Sequence, residues 1–170
     1  GALVCAAAAG SQEHGSGKGR DDHIKHGGGH MNEIGLVAGV AYEAEESDGY
    51  GFLGVEYERM FNERFGITAV AEYVPDLDAV VLIAPMIYRP DGPLRLAAGP
   101  GVELEPRKAE SAEDSAGGRE SRFLWRFGLG YSFRLGKGIV ATPAFDIDLV
   151  RDGSSWETVL VLDVAIGFAF

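Results

Sequence analysis

Residues 122–135 read "RFLWRFGLGYSFRL", and their alternation decides the fold. One parity is Phe123, Trp125, Phe127, Leu129, Tyr131, Phe133 and Leu135. The other is Arg122, Leu124, Arg126, Gly128, Gly130, Ser132 and Arg134. Successive side chains of a strand point to opposite faces. This strand therefore has one large apolar face and one small or basic face. Residues 155–170 repeat the arrangement. Trp156, Thr158, Leu160, Leu162, Val164, Ile166, Phe168 and Phe170 share one face, against Glu157, Val159, Val161, Asp163, Ala165, Gly167 and Ala169.

Working outward, the pattern predicts eight strands, at 33–44, 49–61, 64–74, 78–89, 94–104, 121–135, 138–150 and 155–170. Turn chemistry separates them at Asn62-Glu63, Pro90-Asp91-Gly92-Pro93, Gly136-Lys137-Gly138 and Asp152-Gly153. The longest connection, "PRKAESAEDSAGGRES", is charged and is expected to be exposed and mobile. No helical pattern intervenes, so sequential antiparallel pairing is the simplest topology. An even strand count that closes on itself removes exposed sheet edges.

Such faces suit two kinds of barrel. A soluble, lipocalin-like barrel would hold the bulky set inside; a membrane barrel turns it outward. Three features favour the membrane barrel. The bulky set at 123–135 is long enough for the ~9–11 residues of a transmembrane strand. Aromatics gather near strand ends, with Tyr42, Tyr73, Trp125 and Trp156 toward one rim and Phe61, Phe65, Phe133 and Phe168 toward the other. Alternate connections are short, and the longest are expected on the rim away from the termini. The fourth strand, "DAVVLIAPMIY", is apolar on both parities, which leaves its facing open. Pro85, Pro100 and Pro143 fall inside strands and are expected at bulges or near a rim, because each lacks a ladder donor.

Composition agrees. The chain has 170 residues, 25 of them Gly, and a formal net charge of −11. That charge argues against a nucleic-acid partner, which requires basic patches. The one cysteine, Cys5, provides neither a disulfide framework nor a thiolate metal site. Residues 1–10, "GALVCAAAAG", read as the clipped end of a secretory signal peptide. Residues 11–31 form a Gly/His-rich segment with no periodicity, expected to be disordered and periplasmic, and 32–170 form the barrel.

Four stretches in order, "FLGVEYERMFNERFGITAVAEY", "LRLAAGPGVELE", "RFLWRFGLGYSFRLG" and "ATPAFDIDLV", followed by a terminal aromatic, resemble a group of small, mostly uncharacterised eight-stranded outer-membrane β-barrel proteins of Gram-negative bacteria. The resemblance runs from about residue 30 to 170, and Gly-Pro-Gly at 99–101 and "FLWRFGLGY" are its most specific parts. It implies an outer-membrane location. It also implies that Phe170 acts as the signal read by the barrel assembly machinery. A His-containing segment before the first strand belongs to the same resemblance. Eight-stranded outer-membrane barrels include adhesion or anchoring proteins, small-solute conduits and a few lipid-modifying enzymes.

The inward set is expected to hold Glu56, Glu58, Glu72, Arg95, Arg122, Arg126, Asp146, Asp148, Glu157 and Asp163. A barrel of this size is just wide enough for side chains to fill it. A salt-bridge network that fills the lumen is the leading reading, and a narrow polar conduit the sharper one. Pairing across Lys137 places Arg126 beside Asp146 or Asp148. His23, His26 and His30, with Asp21 and Asp22 adjacent, carry donors for weak Zn, Cu or Ni binding, but no scaffold is evident around them. No other cofactor is expected. All four histidines precede the strands and no G-x-S-x-G occurs, so no catalytic residue is assigned.

The expectation is thus an all-β, eight-stranded, antiparallel, up-and-down transmembrane barrel with a disordered N-terminal segment. It would be a monomer in outer-membrane lipid, assembled by the barrel machinery, with both termini periplasmic. Its role would be structural or in small-solute transport, and not enzymatic. A periplasm-facing metal-binding accessory is the alternative, and a lipid-modifying enzyme comes third.

Overall fold

The computed structural model describes residues 32–45, 47–90, 92–106 and 119–170. The signal-peptide remnant, the segment with His23, His26 and His30, and most of the long charged connection lie outside the described residues.

Among the described residues, ten strand segments build eight staves. The first three staves are β1 (Asn32–Glu43), β2 (Asp48–Met60) and β3 (Phe65–Val74). The fourth is broken into β4 (Ala79–Ile83) and β5 (Met86–Tyr88). β6 (Leu94–Pro106) follows, then β7 (Arg119–Tyr131) with its short continuation β8 (Phe133–Arg134). The last two staves are β9 (Ile139–Asp152) and β10 (Ser155–Ala169). Each stave pairs antiparallel with its chain neighbours, and β10 pairs with β1 from Glu33↔Ala169 to Glu43↔Val159, which closes the ring. Every expected strand is present, and the segments "RFLWRFGLGYSFRL" and "WETVLVLDVAIGFAF" form two of the longest staves.

The turns use the residues their geometry needs. Asn62 Oδ1 accepts hydrogen bonds from the Arg64 and Phe65 amides, each at 2.9 Å. Gly138 and Gly153 take left-handed φ values of 80° and 54°, which a Cβ disfavours. A single 3₁₀ turn, Pro75–Leu77, joins β3 to β4. The long β6–β7 connection lies on the rim away from the termini, as expected. The other connections of that rim are short, so it alone distinguishes the two ends.

The facing is that of a membrane barrel. Leu36 is 69% exposed and Leu162 57%, whereas Arg126 is 5% exposed. The bulky parity of β7 and of β10 points outward along the whole of each stave. Ring pairs such as Phe65–Tyr88, with centroids 5.0 Å apart, and Tyr131–Phe133, at 4.6 Å, lie at the rim that carries the termini.

The prolines correct one expectation. No bulge accommodates Pro85: Ile83 pairs with Gly101 and Met86 with Ala98, so the register continues unbroken past it. Only the local pairing is lost, and it is lost in mid-wall. The Ala84 amide reaches Pro100 O at 3.0 Å, and the Thr68 amide reaches Pro85 O at 2.9 Å. Pro100 and Pro143 stay in register opposite Trp125 and Val164.

Candidate functional site in the barrel lumen

Small residues make the room. Gly39, Gly54, Gly66, Gly99, Gly101, Gly128 and Gly167 all stand where a Cβ would meet another atom within 3 Å. A Cβ on Gly39 would lie 2.4 Å from the Leu162 carbonyl and 2.7 Å from Phe52. Inward glycines thus let long charged side chains cross a narrow barrel.

Those side chains form tiers. Nearest the terminal rim, Arg95 Nε donates to Glu58 Oε2 at 3.0 Å, and its Nη2 faces Glu56 at 3.5 Å and Thr68 Oγ1 at 3.3 Å. Arg89 Nη2 donates to the other Glu58 oxygen at 2.7 Å. In the middle tier Arg126 makes two forks. Its Nε and Nη2 each donate to Asp148 at 2.7 Å, while Nη1 and Nη2 hold both Glu72 oxygens. Asp146 stands 3.8 Å from Arg126 Nη1, and its side chain meets that of Asp163. At the far rim Arg122 gathers Glu105 at 2.7 Å, Glu103 at 3.0 Å and Glu157 at 3.2 Å. Planar guanidinium forks suit such paired carboxylates better than a lysine would.

All ten charged residues named from the sequence therefore face the lumen. The register pairs Arg126 with Asp148 across adjacent staves, as the turn at Lys137 implied. Its cross-lumen partner, Glu72 on β3, follows only from barrel closure. Glu33, Arg89, Glu103 and Glu105 were missed. Glu103 stood on the charged parity of its strand, and Arg89 followed the strand whose facing was ambiguous.

Charges do not fill the lumen alone, which corrects the expected picture. On β7 the successive inward residues are Arg122, Leu124 and Arg126, and Leu124 is 1% exposed. Phe52, Val74, Val81, Val150 and Val161 pack with it in a buried apolar cluster. An apolar layer thus separates the Arg126 tier from the Arg122 tier. The internal cavity bounded by both tiers measures about 50 Å³, room for a few waters at most. Among the described residues no cluster of His, Cys, Asp and Glu is arranged to hold a metal ion.

No protein-family model matches this chain, and no curated protein matches it in sequence. Its fold is similar to the N-terminal β-barrel domain of OprF from Pseudomonas aeruginosa, with a TM-score of 0.57 and 14% identity over 82% of this chain and 100% of that domain. It is also similar to Ail, the attachment invasion locus protein of Yersinia pestis, solved in complex with the heparin analogue sucrose octasulfate. That match has a TM-score of 0.48 and 15% identity over 82% of this chain and 96% of Ail. A de novo designed transmembrane β-barrel matches over 84% of this chain and 98% of its own, with 8% identity and a TM-score of 0.47. At these identities the OprF likeness speaks for the fold alone: a closed, eight-stranded, antiparallel β-barrel.

Proposed function

We propose that this chain is a plugged outer-membrane barrel with a structural or anchoring role, neither an open conduit nor an enzyme. Small, even-stranded barrels with an apolar outer band are the bacterial outer-membrane kind. The observation that carries the reading is the lumen. Arginine–carboxylate tiers stand on both sides of an apolar layer, and the cavity between them is about 50 Å³. An ion crossing that layer would shed its water without a replacement ligand. Both termini belong on the periplasmic side, where short turns are the rule. Ring closure leaves no sheet edge to pair with another chain, which favours a monomer. Planar-bilayer recording tests the reading. The folded chain is expected to give no discrete conductance steps, and stable single-channel openings would overturn the plug in favour of a solute conduit.

A further inference from the structure

On the outer wall, β2, β3, the broken stave and β6 enclose a groove of about 640 Å³. Ala69, Ala71 and Ala84 line it together with the larger Val55, Tyr57 and Leu82. Adjacent parts of the wall carry large outward side chains such as Leu36, Leu53 and Phe127. The Gly99-Pro100-Gly101 stretch helps to make the groove. Pro100 lines it with a compact ring, and a Cβ on Gly99 would lie only 2.4 Å from Pro85 Cα, so the two staves approach closely there.

An apolar concavity against lipid does not stay empty, because an unfilled gap forfeits dispersion contacts on both sides. A charge stands just beyond one end of the groove. Arg59 follows Tyr57 by two residues on the outward parity of β2, one step nearer the terminal rim. Its side chain is exposed and makes no hydrogen bond or ion pair among the described residues. At the same end the Tyr57 hydroxyl donates to Asn32 Oδ1 at 2.8 Å, which holds the aromatic wall in place.

We propose that the groove seats an acyl chain of an anionic phospholipid whose headgroup phosphate pairs with Arg59. The proposal rests on the membrane-barrel reading above. A guanidinium binds phosphate in a forked geometry. A zwitterionic headgroup brings its own ammonium, which weakens that attraction.

Native mass spectrometry of the full chain in detergent, with equal phosphatidylglycerol and phosphatidylcholine of matched acyl chains, tests the proposal. Phosphatidylglycerol is expected to be retained about fivefold over phosphatidylcholine, the scale of one basic residue at an anionic surface. Arg59→Gln should abolish the preference. Ala71→Phe should lower retention of both lipids, and Ala84→Leu provides a second filling variant should the first fail to show heat-modifiable mobility. Equal retention of the two lipids by the unmodified chain would overturn the proposal and leave the membrane reading standing, as would an undiminished preference in Arg59→Gln. Crosslinks between two copies through positions 71 and 84 would assign the groove to a second barrel and overturn it too. A chain that is soluble without detergent and retains neither lipid would overturn both readings.

Discussion

Arg126 grips Glu72 on one side of the barrel and Asp148 on the other, so one side chain ties β7 to β3 across the lumen. All three are at least nine-tenths buried by side-chain exposure. Removing one partner of a buried pair typically costs about 3–5 kcal/mol, because the remaining charges are stranded. Arg126→Leu is therefore expected to lower stability by about that amount, read by urea unfolding in micelles. Adding Glu72→Gln should recover part of the loss, because it neutralises one of the two stranded carboxylates. Asp146→Asn should recover less, since Asp146 is 3.8 Å away and also meets Asp163. Equal rescue by the two would show that the tier acts as a diffuse field and not through its forks. The Asp148 contact was legible in sequence, since a hairpin register follows from turn length. The Glu72 contact was not, because 54 positions and the closure of the ring separate it from Arg126.

At the scale of elements, the fourth stave departs most from a regular strand. It is apolar on both parities because its two faces meet different apolar surroundings. Leu82 and Met86 turn outward, while Ala79, Val81, Ile83 and Ile87 are buried inside. Pro85 interrupts it, and Gly99 lets the neighbouring stave close over the gap. Gly99→Ala is expected to destabilise by about 1–3 kcal/mol, the usual cost of overpacking against backbone. Gly51→Ala, where a Cβ would meet nothing within 4 Å, should stay within about 0.5 kcal/mol. Thermal scans of the two variants in the same detergent check the contrast. Equal effects would mean that conformational freedom, and not the close approach at Gly99, sets the cost.

The whole molecule is a ring of strands whose exterior and interior answer to different solvents. Its ladder runs from Asn32 to Ala169, and β1 and β10 close the ring from Glu33↔Ala169 to Glu43↔Val159. Replacing His23, His26 and His30 together with Ala is therefore expected to leave heat-modifiable gel mobility and the unfolding midpoint unchanged. A loss of folded species would show that the segment takes part in holding the barrel. Titrating the unmodified chain and this variant with Zn, Cu and Ni would show whether any metal uptake belongs to those imidazoles.

Strand number and order, and facing in every stave but the fourth, were determined by the sequence itself, because a period-two pattern is local and barrel closure demands only that each stave repeat it. The parity of "RFLWRFGLGYSFRL" put Arg122 and Arg126 on one face, and the length of its bulky face, the aromatics near strand ends and the placing of the long connections turned that face inward. The lumen's layering was decided only by the tertiary structure. Leu124, Val150 and Val161 are apolar residues on charged parities, and closure brings them together as an apolar layer. The groove is equally a product of closure: three alanines and a proline, scattered over three staves, become a single surface only when those staves lie side by side. A local pattern specifies which way a side chain points. Which other side chains share its height along the axis depends on the stagger of the whole ring.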